Sequence, residues 1–344
     1  MKQQSPAGGR RTGSRGHRLW GLGSASAAAL VTTLMVVLTA CTVADPASEP
    51  AESRVEATIT PEQADTVVKD YDMRRNAALA ASVRRFDPVP WSKADTGMLY
   101  ARNRLDTAVR KVEGNRRTAP STHAVRSVFA PAHETYPRLA IVDLDRTTGG
   151  AATSVIGAMT QQAEGSPWLM TSRAAHTDVA LPAPRSPGRA GTLAAATRST
   201  LLARVDELVR QLDAGAGPLV TGDLATKVKA LAAPAGGRTE YRLWSAQKDQ
   251  LAPRGSVHAV AVEGGATLAL VDLVAETIHD AEPGEYFDTR RLRNSYLTAT
   301  GQASDYATQI RLRNGLTVVA LLEATGKMSV VAAESAALPL DGGR

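Results

Sequence analysis

Ser245 and Lys248 stand in the run Ser-Ala-Gln-Lys, the spacing at which a lysine one helical turn on can take the proton of a serine nucleophile. The run follows a strand-like Tyr241-Arg242-Leu243-Trp244, and the chain has neither a Ser-Asp-Asn nor a Lys-Thr-Gly partner for it, so chance accounts for the spacing. Asp143 and Asp145 alternate along one predicted strand, which sets two carboxylates on one face, as acid/base work requires. A solvated sheet face is the commoner use of such a pair. His123, His133, His176, His258 and His279 never fall at ligand spacing within one helical turn, and are expected at loop or strand-edge surface positions. No Gly-x-Ser-x-Gly elbow, phosphate loop or dinucleotide fingerprint is present. The sequence therefore assigns no catalytic, metal or cofactor residue.

One side chain is placed for different chemistry. Cys41, the only cysteine, closes Leu38-Thr39-Ala40-Cys41 behind a basic and then apolar N-terminus. Lys2, Arg10, Arg11, Arg15 and Arg18 precede an uncharged stretch from Leu19 to Ala40, the layout of an export signal. The positive start stays on the cytoplasmic side while the apolar run enters the translocon. The run could also serve as an uncut anchor, since about twenty apolar residues span a bilayer; small residues ending in cysteine favour cleavage. The motif resembles the lipobox of bacterial lipoproteins. That resemblance implies a diacylglycerol thioether on Cys41, cleavage between Ala40 and Cys41, an acylated amine, and a protein held by membrane lipid on the extracytoplasmic face of the cell membrane. The general secretory route is expected rather than twin-arginine export, because no apolar residue follows Arg10-Arg11 in the required pattern.

Cleavage changes the charge balance. The chain has 40 basic and 34 acidic residues, a net charge of +6, and five of the basic residues lie before Cys41. The mature part is left with 35 against 34, so nucleic acid is not an expected partner. With Cys41 alkylated no disulfide can form, and about 300 residues suffice to bury cores without one. Aromatics make up only 4% of the chain, so those cores must be built from Ala, Val and Leu.

The elements that would position these residues divide in two. Residues 1–40 are the signal peptide, and residues 41–59, rich in Ala, Glu, Ser and Pro, read as a lipidated disordered tether. Its length places the folded part roughly 20–25 Å from the lipid. A first α+β domain is expected over 60–181. It opens with Thr60-Pro61-Glu62-Gln63, a capping box with proline at the first helical position. A long amphipathic helix and a weaker one over Thr96 to Lys111 follow, then strands near 124–130, 138–145, 152–162 and 168–173. The Pro- and Gly-rich segment 182–192 reads as a linker. A second α+β domain, 193–344, repeats the order: helices over 193–212 and 219–232, then strands near 240–244, 257–262, 267–278, 308–322 and 328–334.

Tyr136-Pro137-Arg138, Ser166-Pro167-Trp168-Leu169-Met170 and a long helix before a curved sheet are similar to features of two-domain actinobacterial lipoproteins whose halves have cystatin- or NTF2-like folds. The resemblance implies a fold of two tandem helix-plus-antiparallel-sheet domains and carries no catalytic residue across. The expected function is a non-enzymatic binding or adaptor protein of the cell envelope, with an envelope protein or a small apolar ligand as partner. The alternatives are an envelope hydrolase or transferase with a site assembled from scattered residues, and a transport-associated solute-binding lipoprotein.

Overall fold

The computed structural model describes residues 58–131, 136–177, 179–185, 193–233, 237–244, 256–289, 294–303 and 306–340. Ala40, Cys41, nearly all of the 41–59 tether, His133, and the Ser245 and Lys248 pair lie outside these residues.

Helix α1 (Pro61–Arg85) starts at the expected capping box: the Gln63 N–H donates to Thr60 Oγ1 and the Thr60 N–H to Gln63 Oε1. It ends at Phe86, and a 3-10 turn over Val89–Lys93 leads to α2 (Gly97–Glu113). Four antiparallel strands follow as a meander: β1 (Ser121–Phe129), β2 (Arg138–Thr148), β3 (Ala151–Gln161) and β4 (Trp168–His176). Gly149 and Gly150 turn β2 into β3, both at positive φ, where a side chain would be strained.

The second half repeats the order. Helices α3 (Ala195–Asp213) and α4 (Gly222–Leu231) precede β5 (Gly237–Leu243), β6 (Val257–Ala261), β7 (Thr267–Asp280), β8 (Gln309–Leu322) and β9 (Met328–Ala337). All pairings are antiparallel, in the order β5-β7-β8-β9; β6 pairs with the Thr267–Val271 end of β7 and β5 with its Leu273–His279 end. A short helix α5 (Ser295–Ala299), not expected from periodicity, sits between β7 and β8. Mixed helix and antiparallel sheet make this an α+β protein.

Strand alternation decides how the layers stack. Along β2, Ala140, Val142 and Leu144 face the α1 side, while Leu139 and Ile141 face the other way. Those two, with Phe129, Ile156 and Ala174, meet Val260, Leu268, Leu270, Val319 and Ala332 of the second sheet. The two sheets thus share a core, with α1 on the outer face of one, α3 and α4 on the outer face of the other, and α2 packed against β4 of the first sheet and β9 of the second. Residues Ser53–Arg344 form one compact unit. Part of the 182–192 segment joins it: the Glu263 N–H donates to the Ala183 carbonyl at 3.0 Å, and Pro184 bridges Val262.

Candidate functional site

The helix-facing surface of the first sheet is apolar at one end and polar at the other. Val128, Val142, Val155, Met159 and Trp168 line the apolar end, under Ala64 and Val68 of α1. At the polar end the 3.6-residue period brings Tyr71, Asp72 and Arg75 of α1 over His123 and Ser121 of β1. Arg146 lies directly beside His123 in the β1–β2 register. Arg173 of β4 lies opposite Gly157 on β3 and shares the helix-side parity of Ala175.

Asp95 is delivered from the opposite side. The segment before α2 runs beside β4, with the Thr96 N–H donating to the Met170 carbonyl at 2.9 Å and the Met170 N–H to the Ala94 carbonyl at 3.1 Å. Gly97 then turns the chain into α2 at φ 55°, a left-handed conformation suited to glycine, where an added Cβ would lie 3.4 Å from the Thr171 carbonyl oxygen. Asp95 is 1% exposed. Its carboxylate accepts from the Tyr71 hydroxyl at 3.1 Å and the Asn103 amide at 2.7 Å. Burial pushes its pKa up to about 6, against the opposing pull of Arg173, Arg75 and the two hydrogen bonds. Burial, and then the Asp95 charge, push the Tyr71 hydroxyl well above its usual range, so it stays a donor.

Three histidines expected at the surface are buried and paired with aspartates instead. His123 Nδ1 is 2.5 Å from Asp72 Oδ1, and the His123 N–H donates to Asp72 Oδ2 at 2.7 Å. Burial, partly opposed by Asp72, holds the His123 pKa below its ordinary value, which keeps the imidazole neutral. His176 Nε2 lies 3.0 Å from Asp143 Oδ1, and His258 Nε2 lies 3.6 Å from Asp272 Oδ2. These two pairs face the space between the sheets. Asp272 also accepts from Thr317 Oγ1 at 2.9 Å. The second nitrogen of each ring has no hydrogen-bond partner among the described residues, so no described hydroxyl completes a nucleophile–base–carboxylate relay. His279 is half-buried at the end of β7.

Asp143 and Asp145 do share a strand face, but the solvated face expected for them is only half right. Asp143 is 5% exposed, directed at the second sheet and held by His176, whereas Asp145 is exposed. Arg126 lies 3.6 Å from Asp143 and 3.7 Å from Asp145, and Ser154 donates to Asp145 at 3.0 Å. The two carboxylates are therefore held by a cation and by separate partners. Among the described residues no group of three or more His, Cys, Asp or Glu is arranged to hold a metal ion.

What sequence reasoning missed is a group of arginines. Arg75, Arg146 and Arg173 approach one another on the helix side of the first sheet. Burial, followed by the charge of Arg173, lowers the pKa of both Arg75 and Arg146. The carboxylates nearby are already engaged. Asp72 serves His123, Asp95 serves Tyr71 and Asn103, and Glu334 of β9 is bonded to Arg102 and accepts the Ala175 N–H at 3.1 Å. Glu334 is raised by burial, but Arg102 and Arg173 more than offset this and its pKa lies below the ordinary value. Arg173, only 7% exposed, has Nε and Nη1 buried with no hydrogen-bond partner among the described residues, and Arg146 Nε is in the same state. The charged atoms come from segments that carry no shared motif, so no local signal marked them.

Taken together, the chain is an α+β protein with a buried, cation-rich polar chamber between the helices and sheet of its first half. Compared with known proteins, it matches no family model and no curated sequence. Among the described residues, no helix is long and apolar enough to cross a membrane.

Proposed function

We propose that the chain is a lipid-anchored binding or adaptor protein of the cell envelope. Acylated Cys41 holds it on the extracytoplasmic face of the membrane, and two tandem cystatin- or NTF2-like halves present the functional surface. Two acyl chains anchor stably where a single one is marginal. The anchoring half of this reading is supported by the sequence alone: the basic start, the apolar run and the Leu-Thr-Ala-Cys ending.

The binding half is carried by one observation. Arg173 is a nearly fully buried guanidinium with two nitrogens lacking any described acceptor. Asp95 and Glu334 balance its charge, but burying donors that have no acceptor still costs free energy, a cost that a purely structural core has no reason to bear. Such a chamber favours a polar small ligand over the apolar one expected from the cone-like fold. The hydrolase alternative has less support, because each histidine–aspartate pair lacks a described hydroxyl at its distal nitrogen.

Anchoring is tested by Cys41→Ser in cells fed labelled fatty acid. Loss of label together with an uncut precursor is the expected result, and unchanged labelling refutes lipidation. Binding is tested by native mass spectrometry of the anchored protein extracted from its own membrane. A retained small molecule or envelope protein supports the reading, and a bare chain under gentle extraction counts against it.

A further inference from the structure

We infer that Arg173, with Arg146 as second cation, forms a binding site for an oxyanion head group of the carboxylate or phosphate type. This rests on the binding reading above and assigns the ligand its chemistry.

The first ground is an inventory of donors and acceptors. Arg173 Nε, Arg173 Nη1 and Arg146 Nε can only donate, and none has an acceptor among the described residues. The three nearest carboxylates are occupied by other partners, as described above. Asp95 and Glu334 lie within the field of Arg173 but accept their hydrogen bonds from other donors, so no described carboxylate takes up Arg173 Nε or Nη1. Guanidinium forks match carboxylate and phosphate oxygens in pairs, which a lysine cluster would not do.

The second ground is space. A cavity of about 20 Å³ lies against Arg173 and is also bordered by Ser172, Arg102, Thr317 and Glu334. It admits one water-sized group, so a single oxygen of the head group enters it while the rest of the ligand lies outside. Ser172 Oγ, on a residue that also borders this cavity, is likewise buried without a hydrogen-bond partner among the described residues. Glu334 on the far side is neutralised by Arg102. The approach of α2 to β8 that closes this space depends on Gly315, where an added Cβ would lie 2.6 Å from Met98 Sδ.

The test uses the full chain in detergent, titrated with inorganic phosphate and separately with acetate, while thermal unfolding is followed. Sodium chloride at matched ionic strength is the control. Saturable stabilisation by phosphate or acetate is expected, with the apparent dissociation constant at least tenfold weaker in Arg173→Gln and in Arg146→Gln. Arg146 is only half-buried at the end of β2, so that variant keeps the test open if Arg173→Gln fails to fold. The phosphate and acetate arms separate the two head-group types. The inference is overturned if neither anion stabilises beyond chloride, or if both variants respond like the unmodified chain. A retained neutral ligand in native mass spectrometry alongside a negative titration would sink the oxyanion assignment and leave the binding reading standing.

Discussion

The two halves use one layout, a long helix, a shorter helix and an antiparallel sheet, yet fill the space between helix and sheet in opposite ways. In the second half Leu201, Val205, Leu208 and Leu212 of α3, with Leu224 and Val228 of α4, close onto Ala269, Val271, Leu273, Leu316 and Val318. That interior is apolar and continuous. In the first half the corresponding space begins as an apolar core and ends in Tyr71, Asp72, Arg75, Asp95, His123, Arg146 and Arg173. Burying apolar surface stabilises at roughly 25 cal/mol per Å², whereas each buried charge must recover its hydration from specific partners. The contrast teaches that the second half is stabilised by continuous apolar packing, while the first half keeps a group of buried charges that is costly to desolvate.

Substitutions can break that contrast. Leu208→Ala, at a fully buried position of the apolar interior, is expected to cost about 2–5 kcal/mol. Urea unfolding should show a lower midpoint with an unchanged slope; a loss under 1 kcal/mol would mean that this half is not stabilised by its apolar packing.

Asp95→Asn probes the polar interior through pH. The Asp95 pKa is about 6 in the folded chain against an ordinary value of 3.8, so the native state binds the proton more tightly. Its contribution therefore makes stability fall as pH rises from about 4 through 6, and the cost is constant above that. At about 1.36 kcal/mol per unit the total is about 3 kcal/mol. Denaturation of both proteins at pH 4 and pH 7 should show the variant relatively more stable at pH 7 by up to that amount. A pH-independent difference would place Asp95 in a better-solvated setting than its burial implies. Glu334, whose folded pKa is lowered, acts with the opposite sign in both proteins and cancels in the comparison.

Arg173→Met is the smallest and most pointed test. Replacing Arg173 with an apolar side chain of similar length removes two buried donors that lack acceptors but also the charge that faces Asp95 and Glu334, so the net gain in stability should be only about 1 kcal/mol in ligand-free buffer. The gain should be read as a higher unfolding midpoint. Destabilisation instead would mean that Arg173 is a structural cation, and that the two halves differ less than their packing indicates.

Much of the fold was legible locally. The capping box at Thr60 and Gln63, the 3.6-residue apolar period of α3 and the glycine pair at 149–150 each specify geometry through near neighbours, and each element stands within a few residues of its expected bounds. The site was not legible. Asp72 and His123 are 51 residues apart, and Asp143 and His176 are 33 apart; nothing in either segment marks its partner. Asp143 and Asp145 were correctly placed on one face, but that face is covered by a second sheet, which no alternation along one strand can reveal.

By itself, then, the sequence determined the order and type of the elements and the expected anchoring chemistry at Cys41, because capping, periodicity and a cleavage motif act over a few consecutive residues. Only the tertiary structure decided that the sheets pack against each other, that three histidines are buried on aspartates, and that Arg75, Arg146 and Arg173 gather where some donors of Arg146 and Arg173 find no acceptor among the described residues. Burial and electrostatic environment are properties of the surroundings, set by segments distant in the chain, and no residue carries them alone.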